Sequence, residues 1–221
     1  METKGPEPSG ESARPVQAPT YRDEPADVNA IVAGATGGNE LEDRNPLVRR
    51  ALLFYGAFLA LAALWRVGFQ QESLVLASAA DTVHWLRDPL LGLAAGALVI
   101  WGSAELTART EMGQKLARIL AEALGPLRLR DCLVLAVASG VGEEELFRGA
   151  LQPQVGLVWA SVLFALAHLV PRRELLPWSV FALAAGFLLG GLYAATGNLV
   201  APVFAHVAIN AVNLRRLTRA A

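Results

Sequence analysis

The sequence predicts an all-α fold: a polytopic transmembrane helical bundle of about six spans, with interfacial helices added. Three observations carry that prediction. Hydrophobic residues fill 54% of the 221 positions against 18% charged, and the mean hydropathy is +0.40, too apolar for a water-soluble globule. Beyond residue 46 the chain holds repeated uncharged stretches close to the roughly 20 residues that a helix needs to cross hydrocarbon. Arginine and lysine gather between alternate stretches, as the positive-inside rule requires.

Residues 1–46 stand apart. They hold nine acidic residues and six of the twelve prolines (Pro6, Pro8, Pro15, Pro19, Pro25 and Pro46) and no apolar run, so they bury too little surface to offset the entropy of ordering. This region reads as a disordered, Pro-rich acidic tail. The first apolar run begins at Ala51, too late for a secretory signal, and reads as an anchor that stays in the protein. Residues 47–217 read as one helical transmembrane domain.

The spans follow in order. Ala51 to Phe69 is apolar except for Arg66, placed near its end where it can snorkel. Pro89 to Ala104 lies between Asp88 and Glu105. Cys132 to Gly142 reaches spanning length by continuing through EEELFR at 143–148, and 149–171 is uncharged apart from His168. Leu175 to Leu214 is free of Lys, Arg, Asp and Glu, and Thr196-Gly197-Asn198 divides it into two helices joined by a tight turn. Two weaker segments, 73–86 with Asp81 and His84 and 108–124 with charges at helical spacing, suit helices lying at the membrane surface.

Charge sets the orientation. Arg49 and Arg50 precede the first span, Arg109, Lys115, Arg118, Arg128 and Arg130 separate the second from the third, Arg172 and Arg173 the fourth from the fifth, and Arg215, Arg216 and Arg219 follow the last. Both termini are therefore expected in the cytoplasm. Arg outnumbers Lys 17 to 2, the mark of a GC-rich genome, which points to a bacterial inner (cytoplasmic) membrane. A net charge of −1 argues against nucleic acid as a partner. One cysteine, Cys132, excludes an internal disulfide and a Cys-rich zinc site.

Ionisable residues inside spans are costly, roughly 2.5–3.5 kcal/mol each at a helix centre, and mark function. Here they converge on Glu143, Glu144, Glu145, Arg148, His168, His206 and Asn210. Glu144 and Arg148 are i,i+4 and pair on one helix face, either in support of chemistry or as a structural ion pair. Glu143 faces elsewhere, about 100° around the helix. His206 and Asn210 share a second face, and Phe164 and His168 a third, Phe164 as packing. Glu145 reads as an interfacial or pore-facing bystander, and Asn213 as a cap or a hydrogen-bonding group. A carboxylate near a histidine in a dehydrated pocket suits activation of water. Histidine and asparagine together suit stabilisation of the oxyanion formed when that water attacks an amide.

The strings Glu143-Glu144-x-x-x-Arg148, Phe164-x-x-x-His168 and His206-x-x-x-Asn210 resemble the three signature motifs of the CPBP intramembrane proteases, also called the Abi or CAAX type II prenyl endopeptidase family. GFLLGGLYAATGNLVAPVFAHVAINAVN is similar to that family's approach to its last motif, and the resemblance covers about 129–214, the motif-bearing core. It implies a glutamic-type endopeptidase in which Glu143 and His168 activate water, Glu144 and Arg148 support them, and His206 and Asn210 contact the oxyanion. The family has been described both as metal-dependent and as glutamate-type. The expectation is no cofactor, with Glu143, His168 and His206 as the zinc ligands if a metal takes part; the H-E-x-x-H pattern of zincins is absent.

The expected partners are the lipid bilayer and a membrane-anchored protein or peptide substrate, cut near its carboxyl end as CAAX proteases or sorting-signal-processing myxosortases do. Two other readings compete: a non-catalytic membrane scaffold or immunity protein, and a cation- or proton-coupled carrier. No second copy of EExxxR or HxxxN occurs in the first half, which speaks against a carrier built from repeats.

Overall fold

The computed structural model describes residues 1, 45–70 and 83–219. The acidic tail and most of the expected surface helix at 73–86 lie outside these residues. Among the described residues every regular element is helical.

Each helix begins and ends for a local reason. Helix α1 (Pro46–Trp65) starts where the Asn45 side chain accepts from the Leu47 N–H at 3.0 Å, with proline in its first turn. It continues into a π-helical turn, Arg66–Gln70. Helix α2 (Arg87–Arg109) is anchored by Asp88, which accepts from the His84 N–H at 2.9 Å and from Arg87 Nε at 2.8 Å. Helix α3 (Glu111–Leu124) is capped by Thr110, which accepts from the Gly113 N–H at 3.0 Å, and stops at Gly125, whose φ of 64° favours glycine. Helix α4 (Leu129–Glu144) passes into a π-helical segment, Glu145–Leu151, and then into α5 (Gln152–Ala167). A 3₁₀ turn, Arg173–Leu175, leads into α6 (Leu176–Thr196), which ends on left-handed Gly197. The Asn198 side chain then accepts from the Val200 N–H at 2.9 Å as α7 (Val200–Arg219) begins.

Helix α7 packs between α2 and α4, α6 packs on α5, and α1 packs on α4 and the π-helical segment. Small residues allow the closest of these approaches. A Cβ on Gly92 would run into the Ala201 carbonyl oxygen, and one on Gly96 would lie 3.1 Å from that of Ala205. The α6–α7 turn is tied to the start of α2, where Asn198 Nδ2 donates to Asp88 Oδ2 at 2.8 Å.

The polarity runs inside out. Leu53, Leu64, Leu98, Trp101, Val158, Trp159 and Val180 are exposed, whereas Glu143, Glu144, Glu145 and Arg148 are each 7% exposed or less. An apolar exterior around buried charges is the pattern of an integral membrane protein.

Among the described residues four helical runs are long and apolar enough to cross a membrane by length and hydropathy alone: Pro46–Phe69, Arg87–Arg109, Leu129–Ala167 and Arg173–Thr196. The expected third and fourth spans form one run of 39 residues, whose helical geometry breaks at Gly156, φ 79°, rather than at 148/149. The expected last span is helical, but His206, Asn210, Asn213 and its arginines hold its hydropathy down.

Two further expectations are corrected. Arg66 does not snorkel: it is 4% exposed, and its Nη1 donates to Glu145 Oε2 at 3.0 Å. Glu145 is therefore a buried ion-pair partner, not an interfacial bystander. The absence of a side chain at Gly149 leaves room for this pair, since a Cβ there would lie 3.1 Å from Glu145 Oε2.

Candidate active site

Helix α4 delivers Glu143 and Glu144 at its last two positions, and the following π-helical segment delivers Arg148. Arg148 Nη1 donates to Glu144 Oε1 at 2.9 Å, forming the expected i,i+4 pair with both side chains buried. Arg148 also donates through Nη2 to the Gly186 carbonyl at 3.0 Å, and one turn later Gln152 Nε2 donates to the Gly190 carbonyl at 2.9 Å. The two donors and the two carbonyls are each i,i+4, so one helical repeat fixes the π-helical segment and α5 against α6. The small Gly186 permits this approach: a Cβ there would lie 3.1 Å from the Ser161 carbonyl oxygen.

His168 caps the end of α5. Its Nδ1 lies 2.8 Å from the Phe164 carbonyl oxygen, which only accepts, so Nδ1 donates. Nε2 is thereby turned toward Glu143, 3.6 Å from Oε2. Phe164 is the buried packing residue expected: its ring centroid is 4.6 Å from that of His168, and the Arg148 guanidinium sits 4.4 Å above the ring.

His206 and Asn210 come from one face of α7. His206 Nδ1 lies 2.7 Å from Glu144 Oε1, and Nε2 lies 4.0 Å from Glu143 Oε2. Asn210 Nδ2 donates to Ser139 Oγ at 2.8 Å, which leaves its second N–H for another acceptor. Asn213, one turn on, accepts from Ser103 Oγ at 3.3 Å and serves as a contact between α7 and α2. All six residues nominated from the sequence, Glu143, Glu144, Arg148, His168, His206 and Asn210, thus fall in one cluster, in which His168 and Asn210 are half-buried.

Glu143 Oε2 is buried and accepts no hydrogen bond among the described residues, yet faces two imidazoles. Distances of 3.6 and 4.0 Å are too long for direct hydrogen bonds and suit a bridging water. The same residues line a cavity of about 350 Å³ together with Tyr55, Ser139 and Trp178. Tyr55 and Ser139 carry no motif and escape a sequence reading. A larger, mainly apolar cavity of about 880 Å³ shares Leu120, Trp178, Phe181, Asn213 and Leu217 with the first and is edged by Arg118, Arg173 and Arg216.

Among the described residues no group of three or more His, Cys, Asp or Glu side chains is placed to hold a metal ion. In the trio named for zinc should a metal take part, His168 Nε2 and His206 Nε2 lie 3.6 and 4.0 Å from Glu143 Oε2, and His206 Nδ1 is engaged by Glu144.

Comparison with known proteins gives a family match and a relative. Residues 126–212 match the model of the type II CAAX prenyl endopeptidase Rce1-like family. A curated relative, the uncharacterized protein YpbD of Bacillus subtilis (strain 168), is 44% identical over 82 residues, which cover 36% of this chain and 42% of the relative. The match thus spans less than half the length of that relative. No solved structure gives a significant match to the chain.

Proposed function

We propose that the chain, whose residues 126–212 match the model of the type II CAAX prenyl endopeptidase Rce1-like family, is an intramembrane endopeptidase that hydrolyses a peptide bond near the carboxyl end of a membrane-anchored protein or peptide. The observation that carries this reading is the environment of Glu143: a buried carboxylate oxygen, Oε2, with no donor among the described residues, 3.6 Å from His168 Nε2 and 4.0 Å from His206 Nε2, in a cavity.

In this reading a water held between Glu143 and His168 gives a proton to Glu143 as its oxygen attacks the scissile carbonyl carbon. The carbonyl π electrons move to oxygen, and the resulting oxyanion accepts from the free Asn210 N–H and from His206. Collapse of the tetrahedral intermediate breaks the C–N bond, and Glu143 passes its proton to the leaving amine. Glu144 and Arg148 hold His206 in place. The larger apolar cavity beside the site suits the hydrocarbon anchor of the substrate. No step calls on a metal.

The proposal extends to the substrate class. A bacterial cytoplasmic membrane with both termini inside places the basic loops, and the Arg118, Arg173 and Arg216 edge, on the cytoplasmic side. Candidates are membrane-anchored peptides and carboxyl-terminal sorting tags, processed in a CAAX-protease-like or myxosortase-like manner. The test is co-expression of tagged candidate substrates with the wild-type protein, Glu143→Ala and His168→Ala, followed by mass spectrometry of the substrate's carboxyl end. A defined cut made by the wild type alone supports the reading, and the same cut with all three removes Glu143 and His168 from the chemistry.

A further inference from the structure

We propose that Tyr55, which lies outside the family-matched segment, is a positioning residue that holds the Glu143 carboxylate in its working orientation. The inference rests on the reading of Glu143 as the general base.

Tyr55 is the polar member of an apolar run, ALLFYGAFLALAALW, on α1. A phenol in such a helix needs a partner for its hydroxyl. The backbone supplies one by close approach. Gly142 meets α1 at Tyr55 itself: a Cβ on Gly142 would lie 3.2 Å from the Tyr55 carbonyl oxygen and 3.3 Å from the Tyr55 Cβ. That contact sets the Tyr55 ring beside the next residue, Glu143, and beside Ser139, one turn earlier on α4. Tyr55, Ser139 and Glu143 line one cavity, which brings the phenol within reach of both side chains. A carboxylate only accepts, so the phenol donates to Glu143.

The same contact reaches the other half of the site. Ser139 Oγ accepts from Asn210 Nδ2 at 2.8 Å, so Tyr55 and Ser139 join the base to an expected oxyanion donor through side chains of three helices. Tyr55 also lines the cavity that holds Glu143, His168, His206 and Asn210. A carboxylate rotates about its last bond unless something fixes it. A phenol bound to Glu143 fixes that rotation and leaves Oε2 facing the two imidazoles.

The experiment uses the full-length protein in detergent or nanodiscs. Tyr55→Phe keeps the ring and removes only the O–H. With a quenched fluorescent peptide whose S-farnesylated cysteine stands three residues from the carboxyl end, the expected result is a kcat lower by about 10- to 100-fold with KM within about twofold of wild type. An unchanged kcat overturns the proposal, as does a change confined to KM, which would make Tyr55 a substrate contact.

A thermal unfolding cycle reads the contact without substrate. Tyr55→Phe should lower Tm by a few degrees in the wild-type background and by much less in Glu143→Met, where the acceptor is gone. Equal shifts in both backgrounds overturn the proposal whatever the activity. Failure of the wild type to cleave any peptide overturns the protease reading instead, and the cycle then decides the contact by itself.

Discussion

His206 Nδ1 lies 2.7 Å from Glu144 Oε1, the same oxygen that accepts from Arg148 Nη1 at 2.9 Å. One buried carboxylate thereby joins the first motif to the last. Because a carboxylate only accepts, Nδ1 of His206 carries the proton, and the ring turns Nε2 to the cavity. Any hydrogen bond that His206 donates to an oxyanion needs a second proton on Nε2, and that charge is balanced by Glu144. Glu143, Glu144, Arg148 and a doubly protonated His206 sum to zero, which suits a site buried among apolar helices.

This sharing makes Arg148 more costly to remove than Glu143. Arg148→Met leaves Glu144 buried without its cation and frees the Gly186 carbonyl, and is expected to cost about 3–5 kcal/mol. The measurement is thermal unfolding in detergent, read beside the fraction of protein inserted. A melting temperature near wild type would show that the pair is not what holds the π-helical segment.

Glu143→Gln is expected to separate chemistry from stability. Its Oε2 accepts no hydrogen bond among the described residues, so the amide substitutes with little disturbance. Cleavage should fall at least about 100-fold through loss of the base, with Tm within about 2 °C of wild type.

Helix α2 offers a test of the packing. Gly92→Ala places a Cβ against the Ala201 carbonyl oxygen, whereas a Cβ on Gly102 meets nothing within 4 Å. The first is expected to destabilise by about 1–3 kcal/mol through overpacking of α2 on α7. The second should stabilise by about 0.5–1 kcal/mol through helix propensity alone. Chemical denaturation of the two variants in mixed micelles checks the contrast.

Glu143 and His168 acting on water without a metal predicts insensitivity to chelators. Incubation with EDTA or 1,10-phenanthroline followed by removal of the chelator should leave the cleavage rate unchanged. Loss of activity restored by zinc would reassign Glu143, His168 and His206 as ligands.

The motif residues were legible because helical spacing places them. Glu144 with Arg148, and His206 with Asn210, are each i,i+4, and the structure pairs the first two and sets the second two along one cavity, as that spacing implies. The Thr196-Gly197-Asn198 turn was legible for a similar local reason, since glycine accommodates the φ of 71° found there. Contacts between distant segments left no such trace. Arg66 and Glu145 are 79 residues apart, and each alone reads as a charge near the end of an apolar run. Tyr55 is one aromatic residue among several in α1, and only the close approach at Gly142 directs it to Glu143. The 39-residue run Leu129–Ala167 hid its break for another reason: the charged EEELFR patch drew the boundary, while the departure from helical geometry occurs at Gly156.

The most direct measurement is cleavage by purified wild-type protein and Glu143→Gln in nanodiscs, on a panel of prenylated, acylated and unmodified peptides, with thermal unfolding alongside. The expected result is one defined bond cut by the wild type, at least about 100-fold more slowly by the variant, at an unchanged melting temperature. Equal cutting by both proteins, or no cutting by the wild type across the panel, contradicts the assignment of Glu143 as the base of an intramembrane endopeptidase.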